Sequence, residues 1–577
     1  MDVFLLSLIK EPGQQNKIYF MTQYDAIVVG SGISGGWAAK ELCENGLKTL
    51  VLERGPNVEH VKDYPTAFMN PWDFPHHLRN TEKENAENPV SSKYFSEANK
   101  HFFVSDKEHP YIQDKPFAWI RGYQVGGRSL TWGRQCYRMS DLDFEANAKD
   151  GHGVDWPIRY KDIAPWYDYV ENYIGVSGQT EGLHQLPDGK FLPPFELNCV
   201  ENDFSQKIKN HYHDRIVTIA RVANLTRGWN GRGPCQMRNL CDRGCPFGGY
   251  FSSNASTLPA AAITGNLSIL PNSIVTEIIY DESKSKVTGV RVMDANTKAV
   301  TEYFSKIIFI NASTIATAGL LLKSVSKRFP NGLGNSSGQV GRNLMDHFTF
   351  SGATGEHEGL KDKYYYGRRP FGIYVPRFRN IDAQTIRKDY VRGFGYQGVG
   401  ERLSWSDVNT SDEEFGISFK QKLTNPGPWK MTLGTYGETL PYEKNGISLD
   451  KEKVDQWSQP IIRISMDYGE NENAMRKDGI LSAIEMMESA GLKNINKFDF
   501  RNPPGSAVHE MGTVRMGRDP KTSVLNEYNQ MHEAKNIFIT DGSCMTSAGC
   551  QNPSLTYMAL TARACNHAIS ELKKMNL

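Results

Sequence analysis

The chain has 577 residues, and its 66 lysines and arginines against 65 aspartates and glutamates give a net charge of +1. Hydrophobic residues make up 39% of the chain and charged residues 23%, which is typical of a globular protein with enough apolar material for a core. The near-neutral balance, without a long run of Lys or Arg, argues against a nucleic-acid-binding protein. The apolar run at residues 3–9 is much shorter than the roughly 20 residues that cross a bilayer, so we expect no transmembrane segment.

The first 20 residues lack the basic start and the small-residue cleavage site of a secretory signal. A second methionine, Met21, stands just before the first strand-like segment. We interpret residues 1–20 as a leader that is disordered or mis-assigned.

The first regular elements follow this leader. Residues 24–29 (YDAIVV) form a short apolar run that predicts a buried strand, and residues 34–45 place apolar side chains on one face at helical spacing. A second apolar run occupies residues 47–53. Strand, glycine turn, helix and strand within about 30 residues predict a βαβ unit with a right-handed crossover.

The segment GSGISG after the first strand is a G-x-G-x-x-G motif. Gly30 permits the tight turn, Gly32 lets the backbone approach a pyrophosphate, and Gly35 lets the helix pack on the strand. Ser34 lies at the start of the helix, whose free N–H groups face the phosphates. Glu53 ends the second strand, where a carboxylate accepts hydrogen bonds from the adenosine ribose and repels the extra phosphate of NADP. The motif therefore predicts a dinucleotide site, and these residues leave NAD and FAD open.

Later segments indicate how the rest of the chain is organised. Residues 151–230 are polar and rich in aromatic residues, Pro and Gly, and three strand-like runs follow within residues 267–310. One of these runs, KVTGVRVMD, alternates as a half-exposed antiparallel strand does. Residues 349–500 contain further strand-like pieces and a helix at 480–491, and the chain closes with a buried strand, NIFITDGS, and a helix, PSLTYMALTARACNHAISEL. We predict a nucleotide-binding layer built from both chain ends and a middle piece, with another domain inserted between them.

Six segments together resemble the glucose–methanol–choline (GMC) oxidoreductase family, whose members depend on FAD. They run in the family's order from residue 24 to the C-terminus: DAIVVGSGISGGWAAKEL, QVGGRSLTWGR, DWPIRYKDIAPWYDYVENYIGVSG, VGRNLMDH, HEMGTVRMG and ITDGSCMTSAGCQNPSLTYMALTARA. They are more similar to bacterial sugar dehydrogenases, including glucoside 3-dehydrogenases and iron–sulfur FAD-glucose dehydrogenases, and to pyranose 2-oxidase, than to choline or methanol enzymes. The resemblance implies an α/β fold in which a discontinuous, Rossmann-like FAD-binding domain carries an inserted substrate domain built on a mainly antiparallel β-sheet.

The resemblance also divides the chain. It implies a FAD-binding domain made of residues 21–160, 214–347 and 518–577. The substrate-binding domain is then made of residues 161–213 and 348–517. The leader stays outside both domains.

Oxidation of an alcohol to a ketone requires a base for the O–H proton and an acceptor for the C–H hydrogen, which leaves as hydride. Histidine, with an unperturbed pKa of about 6.5, suits the role of the base. The resemblance assigns this role to His509 in HEMGTVRMG, and it implies that Asn552 in CQNPSLT hydrogen-bonds the same substrate oxygen. We interpret His347, in NLMDH, as a structural histidine.

Other residues are placed around the flavin by resemblance alone. Gly126, Gly127 and Ser129 are expected against the ring, where glycine allows a close backbone approach. Asp541 and Gly542 are expected at the pyrophosphate or the ribityl chain. Relatives that bind flavin covalently carry a histidine where this chain has the threonine of GGRSLTW, and threonine cannot form that link. We therefore predict that FAD binds non-covalently.

Three of the nine cysteines, Cys235, Cys241 and Cys245, lie in one short glycine-rich segment. Thiolates grouped this closely suit iron–sulfur clusters or zinc, and a proline after the last cysteine recurs in ferredoxin-type sites. The resemblance to iron–sulfur FAD-glucose dehydrogenases implies a [3Fe–4S] cluster, although this chain has Pro234 where those enzymes have a neighbouring cysteine. Zinc and structural thiols are the alternatives.

The resemblance implies a FAD-dependent dehydrogenase that oxidises a secondary alcohol of a sugar or glycoside to a ketone. The most specific expectation is C3 of a glucoside, followed by C1 or C2 of a free sugar. Aromatic side chains in segments 364–378 and 394–406 could stack on sugar rings, or they could belong to the core. The alternatives are an oxidase of the pyranose-oxidase kind that uses O₂, a non-redox flavoprotein lyase, and a protein in which FAD is only structural.

The same relatives work with a small companion subunit that carries the export signal, and with a c-type cytochrome that accepts electrons. We therefore expect such a subunit and such a cytochrome as partners. The expected location is the periplasm, reached with the partner subunit, or otherwise the cytoplasm.

Overall fold

Residues 23–364, 371–402, 416–425 and 427–577 are described by the computed structural model. The leader that we predict lies outside these residues, as do parts of the two aromatic segments. The described strands are β1 (Gln23–Val29), β2 (Thr49–Leu52), β3 (Ile112–Gln113), β4 (Thr218–Ile219), β5 (Leu267–Leu270), β6 (Ser273–Asp281), β7 (Lys286–Asp294), β8 (Val300–Ile310), β9 (Ser351–His357), β10 (Ile373–Val375), β11 (Phe394–Glu401), β12 (Trp429–Gly437), β13 (Gly446–Val454), β14 (Pro460–Ser465), β15 (Lys493–Asp499) and β16 (Ile537–Ile539). The described α-helices are α1 (Ile33–Glu44), α2 (Glu82–Glu87), α3 (Asp141–Phe144), α4 (Ala146–Asp150), α5 (Tyr160–Ile174), α6 (Cys199–His211), α7 (Thr257–Ile263), α8 (Thr314–Lys323), α9 (Ile417–Thr424), α10 (Glu470–Ser489) and α11 (Ser554–Lys573).

The predicted βαβ unit is confirmed and lies in the middle of a seven-stranded sheet. β1 pairs in parallel with β2 on one side and with β8 on the other, so that Ala26 lies opposite both Thr49 and Ile307. β5 extends the sheet in parallel beyond β2, and β16 pairs in parallel with the end of β8. β7 and β6 complete the sheet as antiparallel strands. Strands from both chain ends and from the middle therefore build one sheet, as predicted.

Both faces of β1 are buried over residues 26–29, which explains why these four residues are all apolar. Ala26 and Val28 pack in one apolar cluster with residues of α1, α7 and α11. Ile27 and Val29 point to the other face, into the largest core of the protein. This alternation follows from the two-residue period of a strand, and burial on both faces is typical of parallel sheets covered by helices.

A second sheet has six strands in the order β15-β9-β12-β11-β10-β4, and every pairing in it is antiparallel. Trp429, Met431 and Leu433 of β12 form its core together with Met486 of α10. This is the mainly antiparallel sheet that we expect of the inserted domain. Its edge strand β4 comes from the segment 214–347, and the predicted domain boundaries remain a prediction.

A small third sheet joins the two parts of the chain. β14 pairs in antiparallel fashion with β13 and in parallel with β3, which comes from the N-terminal part of the chain. Among the described residues, no helix has the length and apolar character that crossing a membrane requires.

Candidate active site

A cavity opens where parallel strands of the seven-stranded sheet end. Gly30 follows β1, Glu53 follows β2, Asn311 follows β8 and Asp541 lies just beyond β16, and all four residues line this cavity. In open sheets of this kind, ligands bind outside the carboxyl ends of the strands. The topology alone therefore marks this cavity as the candidate site.

The glycine turn after β1 forms one wall of the cavity. Gly30 has a φ of +93°, and a Cβ atom here would lie 2.4 Å from the carbonyl oxygen of Asn311. A Cβ atom on Gly35 would lie 1.8 Å from the carbonyl oxygen of Gly30, so Gly35 serves the packing of helix on turn and does not line the cavity. At Gly32, by contrast, a Cβ atom would meet no heavy atom within 4 Å. The N-terminus of α1, where Ser34 lies, has no side-chain cap, so its N–H groups and this open space together suit a phosphate.

Glu53 is held in place by the glycine turn. One of its carboxylate oxygens accepts hydrogen bonds from the backbone N–H of Ser31 (3.1 Å) and from the Ser31 hydroxyl (2.5 Å). The other oxygen accepts from the N–H of Gly55 at 3.1 Å. Burial raises the pKa of Glu53 above its usual value. The Ser31 Oγ also accepts from the N–H of Gly126 at 2.9 Å, which ties the first glycine turn to a second one.

The second glycine turn packs directly against the first one. Gly126 and Gly127 both have positive φ, +90° and +50°, which is the conformation that favours glycine. A Cβ atom on Gly127 would lie 3.2 Å from the Cα of Gly32, so the two turns nearly touch. Gly127 and Ser129 line the cavity, whereas Gly126 lies behind its wall, against the side chain of Asn254.

The turn after β16 completes the wall. Asp541 accepts hydrogen bonds from the N–H of Ser543 (3.0 Å) and from the Thr317 hydroxyl (2.6 Å), so both of its carboxylate oxygens already have protein partners. Burial raises the pKa of Asp541. Gly542 lies against the carbonyl oxygen of Glu510, where a Cβ atom would come within 2.5 Å. Asp541 therefore shapes the turn that presents Gly542 to the cavity.

Several residues that line the cavity were not predicted from the sequence. Asn311 is one of them, and among the described residues its Nδ2 is a buried donor without a hydrogen-bond partner. Lys323 and Arg54 also line the cavity, and burial together with the charge of Arg54 lowers the pKa of Lys323 to about 8. The segment NAS after the run KIIFI could have been found, because it follows a buried parallel strand at the edge that binds ligands.

The structure brings the predicted catalytic pair into contact, although Asn552 itself is not among the residues that line the cavity. His509 lines the cavity, and its Nε2 lies 3.2 Å from the Nδ2 of Asn552. Burial lowers the pKa of His509 well below its usual value, and the nearby charges of His347 and Arg128 act in the same direction. The imidazole of His509 is therefore uncharged at neutral pH and can accept a proton.

Asp346 fixes the backbone that carries His509. One oxygen of its carboxyl group accepts from the N–H of Gly505 (2.7 Å) and of Ala507 (3.3 Å), and the other accepts from the N–H of His509 (3.1 Å). Between these anchors Val508 has a φ of +55°, which is unfavourable for a β-branched residue. The surrounding hydrogen bonds hold this strained conformation immediately before His509.

The structure does not support the expected iron–sulfur cluster. Within the described part of the chain, which includes Cys235, Cys241 and Cys245, no group of three potential ligands is arranged to hold a metal ion. The Sγ of Cys235 accepts from the N–H of Met237 (3.4 Å), and the Sγ of Cys245 accepts from the N–H of Gly249 (3.3 Å). Burial raises the pKa of Cys235 to about 11. Of the three alternatives, structural thiols agree with this geometry.

The known proteins that are similar to this chain agree with the resemblance to GMC oxidoreductases. Two family models, both described as GMC oxidoreductase, match residues 205–349 and 441–561. The 2-methyl-1,2-propanediol dehydrogenase of Mycolicibacterium austroafricanum is 28% identical over 94% of each chain. The fructose dehydrogenase large subunit of Gluconobacter japonicus is 25% identical over 95% of this chain and 98% of its own. The gluconate 2-dehydrogenase flavoprotein of Pantoea cypripedii is 23% identical over 94% of this chain and 92% of its own.

Solved structures share the fold. A variant of formate oxidase from Aspergillus oryzae superimposes with a TM-score of 0.62 at 14% identity, over 97% of this chain and 100% of its own. Pyridoxine 4-oxidase from Mesorbium loti gives a TM-score of 0.55 at 14% identity, over 94% and 98%.

Fold, cavity and comparisons together define a flavin-dependent oxidoreductase that acts on the CH–OH group of its donor. Family models of GMC oxidoreductases match two segments of the chain, and its relatives include bacterial sugar dehydrogenases. Members of this family bind FAD, and the residues of the cavity fit that cofactor. The open space at Gly32 and the uncapped start of α1 suit its pyrophosphate, and Asn311 offers an unpaired donor among the described side chains.

Proposed function

We propose that the protein is a FAD-dependent dehydrogenase that oxidises a secondary alcohol of a sugar or glycoside to a ketone. The observation that carries the proposal is the contact between His509 Nε2 and Asn552 Nδ2, which lie 3.2 Å apart, with His509 lining the cavity that fits the cofactor. A hydroxyl group that binds beside both atoms and replaces their direct contact donates its hydrogen to Nε2 and accepts one from Nδ2. Asn552 is buried and His509 is half-buried, which limits the competition of water for these hydrogen bonds.

The chemistry divides between this pair and the cofactor. His509 takes the O–H proton at Nε2 as general base, and Asn552 holds the oxygen as negative charge develops on it. The O–H bond breaks, an N–H bond forms, and the carbonyl forms as the C–H hydrogen leaves with its electron pair. Bound FAD supplies the acceptor for that hydride. For this cofactor we propose non-covalent binding, held by the glycine turns, Glu53 and the turn at Gly542.

The names of several relatives support a sugar or a related polyol as substrate. They include a fructose dehydrogenase large subunit, a gluconate 2-dehydrogenase flavoprotein and a 2-methyl-1,2-propanediol dehydrogenase. Within this class we propose C3 of a glucoside as the carbon that is oxidised. The next candidate is C1 or C2 of a free sugar.

The electron acceptor and the partners form a further part of the proposal. The fructose dehydrogenase relative is named as a large subunit, which supports a companion subunit for this chain as well. We propose that electrons pass to a c-type cytochrome and that the protein reaches the periplasm with its partner. A second candidate is a sugar oxidase that uses O₂, because the 6'''-hydroxyparomomycin C oxidase of Streptomyces lividus is 24% identical over 97% of this chain.

The test is an anaerobic visible spectrum of the purified holoenzyme before and after addition of methyl α-D-glucoside, D-glucose, D-fructose or D-gluconate. We expect at least one of them to bleach the flavin absorbance. His509→Ala should keep its bound FAD and lose about 10²–10⁴-fold in the rate of bleaching, because it lacks the base. Equal rates in both proteins would refute the role of His509. Re-oxidation by air with one peroxide formed per ketone would favour the oxidase.

A further inference from the structure

A continuous chain of hydrogen bonds runs through the catalytic pair, and its donors all point in one direction. The Asn552 Nδ2–H and His509 Nε2 form its central link, at the point where we place the substrate hydroxyl. From donor to acceptor, the members are Tyr137, Gln135, Gln397, Asn552, His509, His347 and the carbonyl of Gly549. The chain starts beside the six-stranded sheet, to which Gln397 belongs as a residue of β11, and it ends in the FAD-binding part.

The hydrogen of His347 is placed by the carbonyl at the end of this chain. The His347 Nε2 lies 2.8 Å from the carbonyl oxygen of Gly549, which can only accept, so Nε2 carries a hydrogen. Burial lowers the pKa of His347 to about 4, so the ring is neutral and its Nδ1 has a free lone pair. That Nδ1 lies 2.9 Å from the Nδ1 of His509. His509 must therefore carry its hydrogen on Nδ1, which leaves the lone pair on Nε2.

The Asn552 amide is fixed from the opposite side. Gln397 donates from Nε2 to the Oδ1 of Asn552 at 2.7 Å, so Asn552 presents its Nδ2–H₂ donor to His509 and to the substrate position. Gln397 itself is oriented, because its Oε1 accepts from Gln135, whose own Oε1 accepts from the buried Tyr137 hydroxyl at 2.6 Å.

We propose that His347 and Gln397 are positioning residues that fix the hydrogen-bond polarity of the catalytic pair: His347 selects the His509 tautomer with its lone pair on Nε2, and Gln397 turns the Asn552 amide so that it donates. This inference deepens the proposed function and rests on it. An alcohol hydroxyl group both donates and accepts a hydrogen bond. In this arrangement it donates to Nε2 of His509 and accepts from Nδ2 of Asn552. After proton transfer His509 carries hydrogens on both nitrogens, and its Nδ1–H still has His347 as an acceptor.

The first test compares paired variants at His347. His347→Asn keeps an acceptor oxygen near the position of Nδ1, whereas His347→Leu removes it. We expect His347→Leu to lower the limiting rate of flavin reduction about 100-fold with little change in KM, because His347 does not contact the substrate. His347→Asn should retain at least a tenth of the wild-type rate. Equal losses in both variants, accompanied by equal losses of thermal stability or bound flavin, would indicate a merely structural histidine and overturn the proposal.

The pH profile separates the tautomer role from an effect of His347 on the pKa of His509. The ionisable groups that surround His509 are His347, Asp346, Glu510, Arg128 and Tyr436. The ratio of the two neutral tautomers of an imidazole does not depend on pH. Raising the pH from 6 to 9 should therefore leave the deficit of His347→Leu unchanged, and recovery of the wild-type rate at high pH would contradict the tautomer role.

The second arm concerns Gln397. Gln397→Glu has nearly the same shape but replaces the donor with an acceptor, which turns the Asn552 amide around so that its oxygen faces the substrate. We expect the rate of flavin reduction to fall about 10-fold or more in Gln397→Glu, and less in Gln397→Met, which imposes no orientation. The reverse order would overturn the part of the proposal that concerns Gln397.

A direct readout of the tautomer separates this inference from the proposed function. Solid-state ¹⁵N spectra of holoenzyme labelled at histidine, with the His509 signals assigned by their loss in His509→Ala, should show His509 protonated at Nδ1. A hydrogen on Nε2 of His509 would overturn the inference whatever the substrate is. If the tautomer is as proposed but no alcohol reduces the flavin, the inference stands and the proposed function fails.

Discussion

Two adjacent residues of the segment NLMDH control one catalytic histidine by separate means. Asp346 binds the backbone on both sides of Val508 and so fixes where His509 lies. His347 binds the imidazole ring itself at 2.9 Å. Burial, together with the charge of Glu510, raises the pKa of Asp346 to about 7, so its carboxyl group titrates close to neutral pH while it anchors the loop. A single short motif thus sets the position and the proton placement of the base.

The first prediction at this scale concerns pH. The neutral form of His509 accepts the proton, and burial followed by the charges of His347 and Arg128 keeps the pKa of His509 well below 6.5. Activity is therefore retained as the pH falls through 6.5 and is lost only further down. We expect kcat/KM for flavin reduction at pH 6.0 to stay within twofold of its value at pH 8.0. A histidine with a pKa of about 6.5 would lose about fourfold over that interval.

The measurement is the pH profile of anaerobic flavin reduction in wild type and in His509→Ala. The residual rate of His509→Ala should not show the inflection that belongs to His509. An apparent pKa of 6.5 or higher in the wild-type profile, absent from His509→Ala, would contradict the effect of burial.

At the scale of elements, the glycines of the turn between β1 and α1 serve two different purposes, which are packing of the protein and access for a ligand. Gly30 and Gly35 are required by the protein itself, because Cβ atoms there would overlap backbone at 2.4 and 1.8 Å. Gly32 has no such neighbour within 4 Å, so its lack of a side chain serves only what approaches from the cavity.

This difference predicts the phenotype of Gly32→Ala. The apoprotein should fold with wild-type circular dichroism and an unfolding midpoint close to that of the wild type, since the added methyl group meets no protein atom. FAD should bind at least tenfold more weakly, because the methyl group occupies the approach of the pyrophosphate. The matched control is Gly228→Ala, an exposed glycine whose Cβ would lie 3.7 Å from its nearest neighbour. Wild-type affinity of Gly32→Ala for FAD, measured by fluorescence titration, would contradict this placement of the cofactor.

Elements with strong local signals could be predicted from the sequence. Two elements whose bounds were predicted wrongly show what local patterns cannot detect. The run LSILPNSIVTEIIYD predicts continuous strand character, but the chain splits it into β5 and β6 at Pro271 and Asn272, where Asn272 has a φ of +54°. The helix predicted at 480–491 begins at Glu470, since its first turns are polar and are held by Glu472, which accepts from the N–H of Gly469. Apolar periodicity cannot detect a helix start that depends on polar contacts.

At the scale of the whole molecule, the residues of the site also fall into those that local pattern predicts and those that it does not. The glycine motif and Glu53 could be derived from local pattern, because strand, turn and helix are contiguous. The meeting of His509 with Asn552 could be inferred only by resemblance, because it depends on how distant segments pack. The chain of hydrogen bonds through His347 and Gln397 could be predicted neither from local pattern nor by resemblance. It depends on the side-chain geometry of residues from both sheet-bearing parts of the protein. The expected iron–sulfur cluster is not supported by the described residues, since spacing along the chain does not fix how thiols converge.

The cofactor should also couple the parts of the molecule energetically. The cavity is lined by residues after β1, β2, β8 and β16 and by the loop at His509, so one ligand contacts segments from both ends of the chain. A ligand that binds only the folded state stabilises it by RT ln(1 + [L]/Kd), which is about 4 kcal/mol at a thousandfold excess over Kd. For a chain of this size we expect FAD to raise the unfolding midpoint of the apoprotein by roughly 3 °C under those conditions. Calorimetry of apoprotein across a range of FAD concentrations measures this, with riboflavin, which lacks the pyrophosphate and adenosine, as the control. Because the glycine turns and Glu53 hold the part that riboflavin lacks, riboflavin should shift the midpoint much less, and equal shifts by the two flavins would show that the cavity does not hold FAD as we place it.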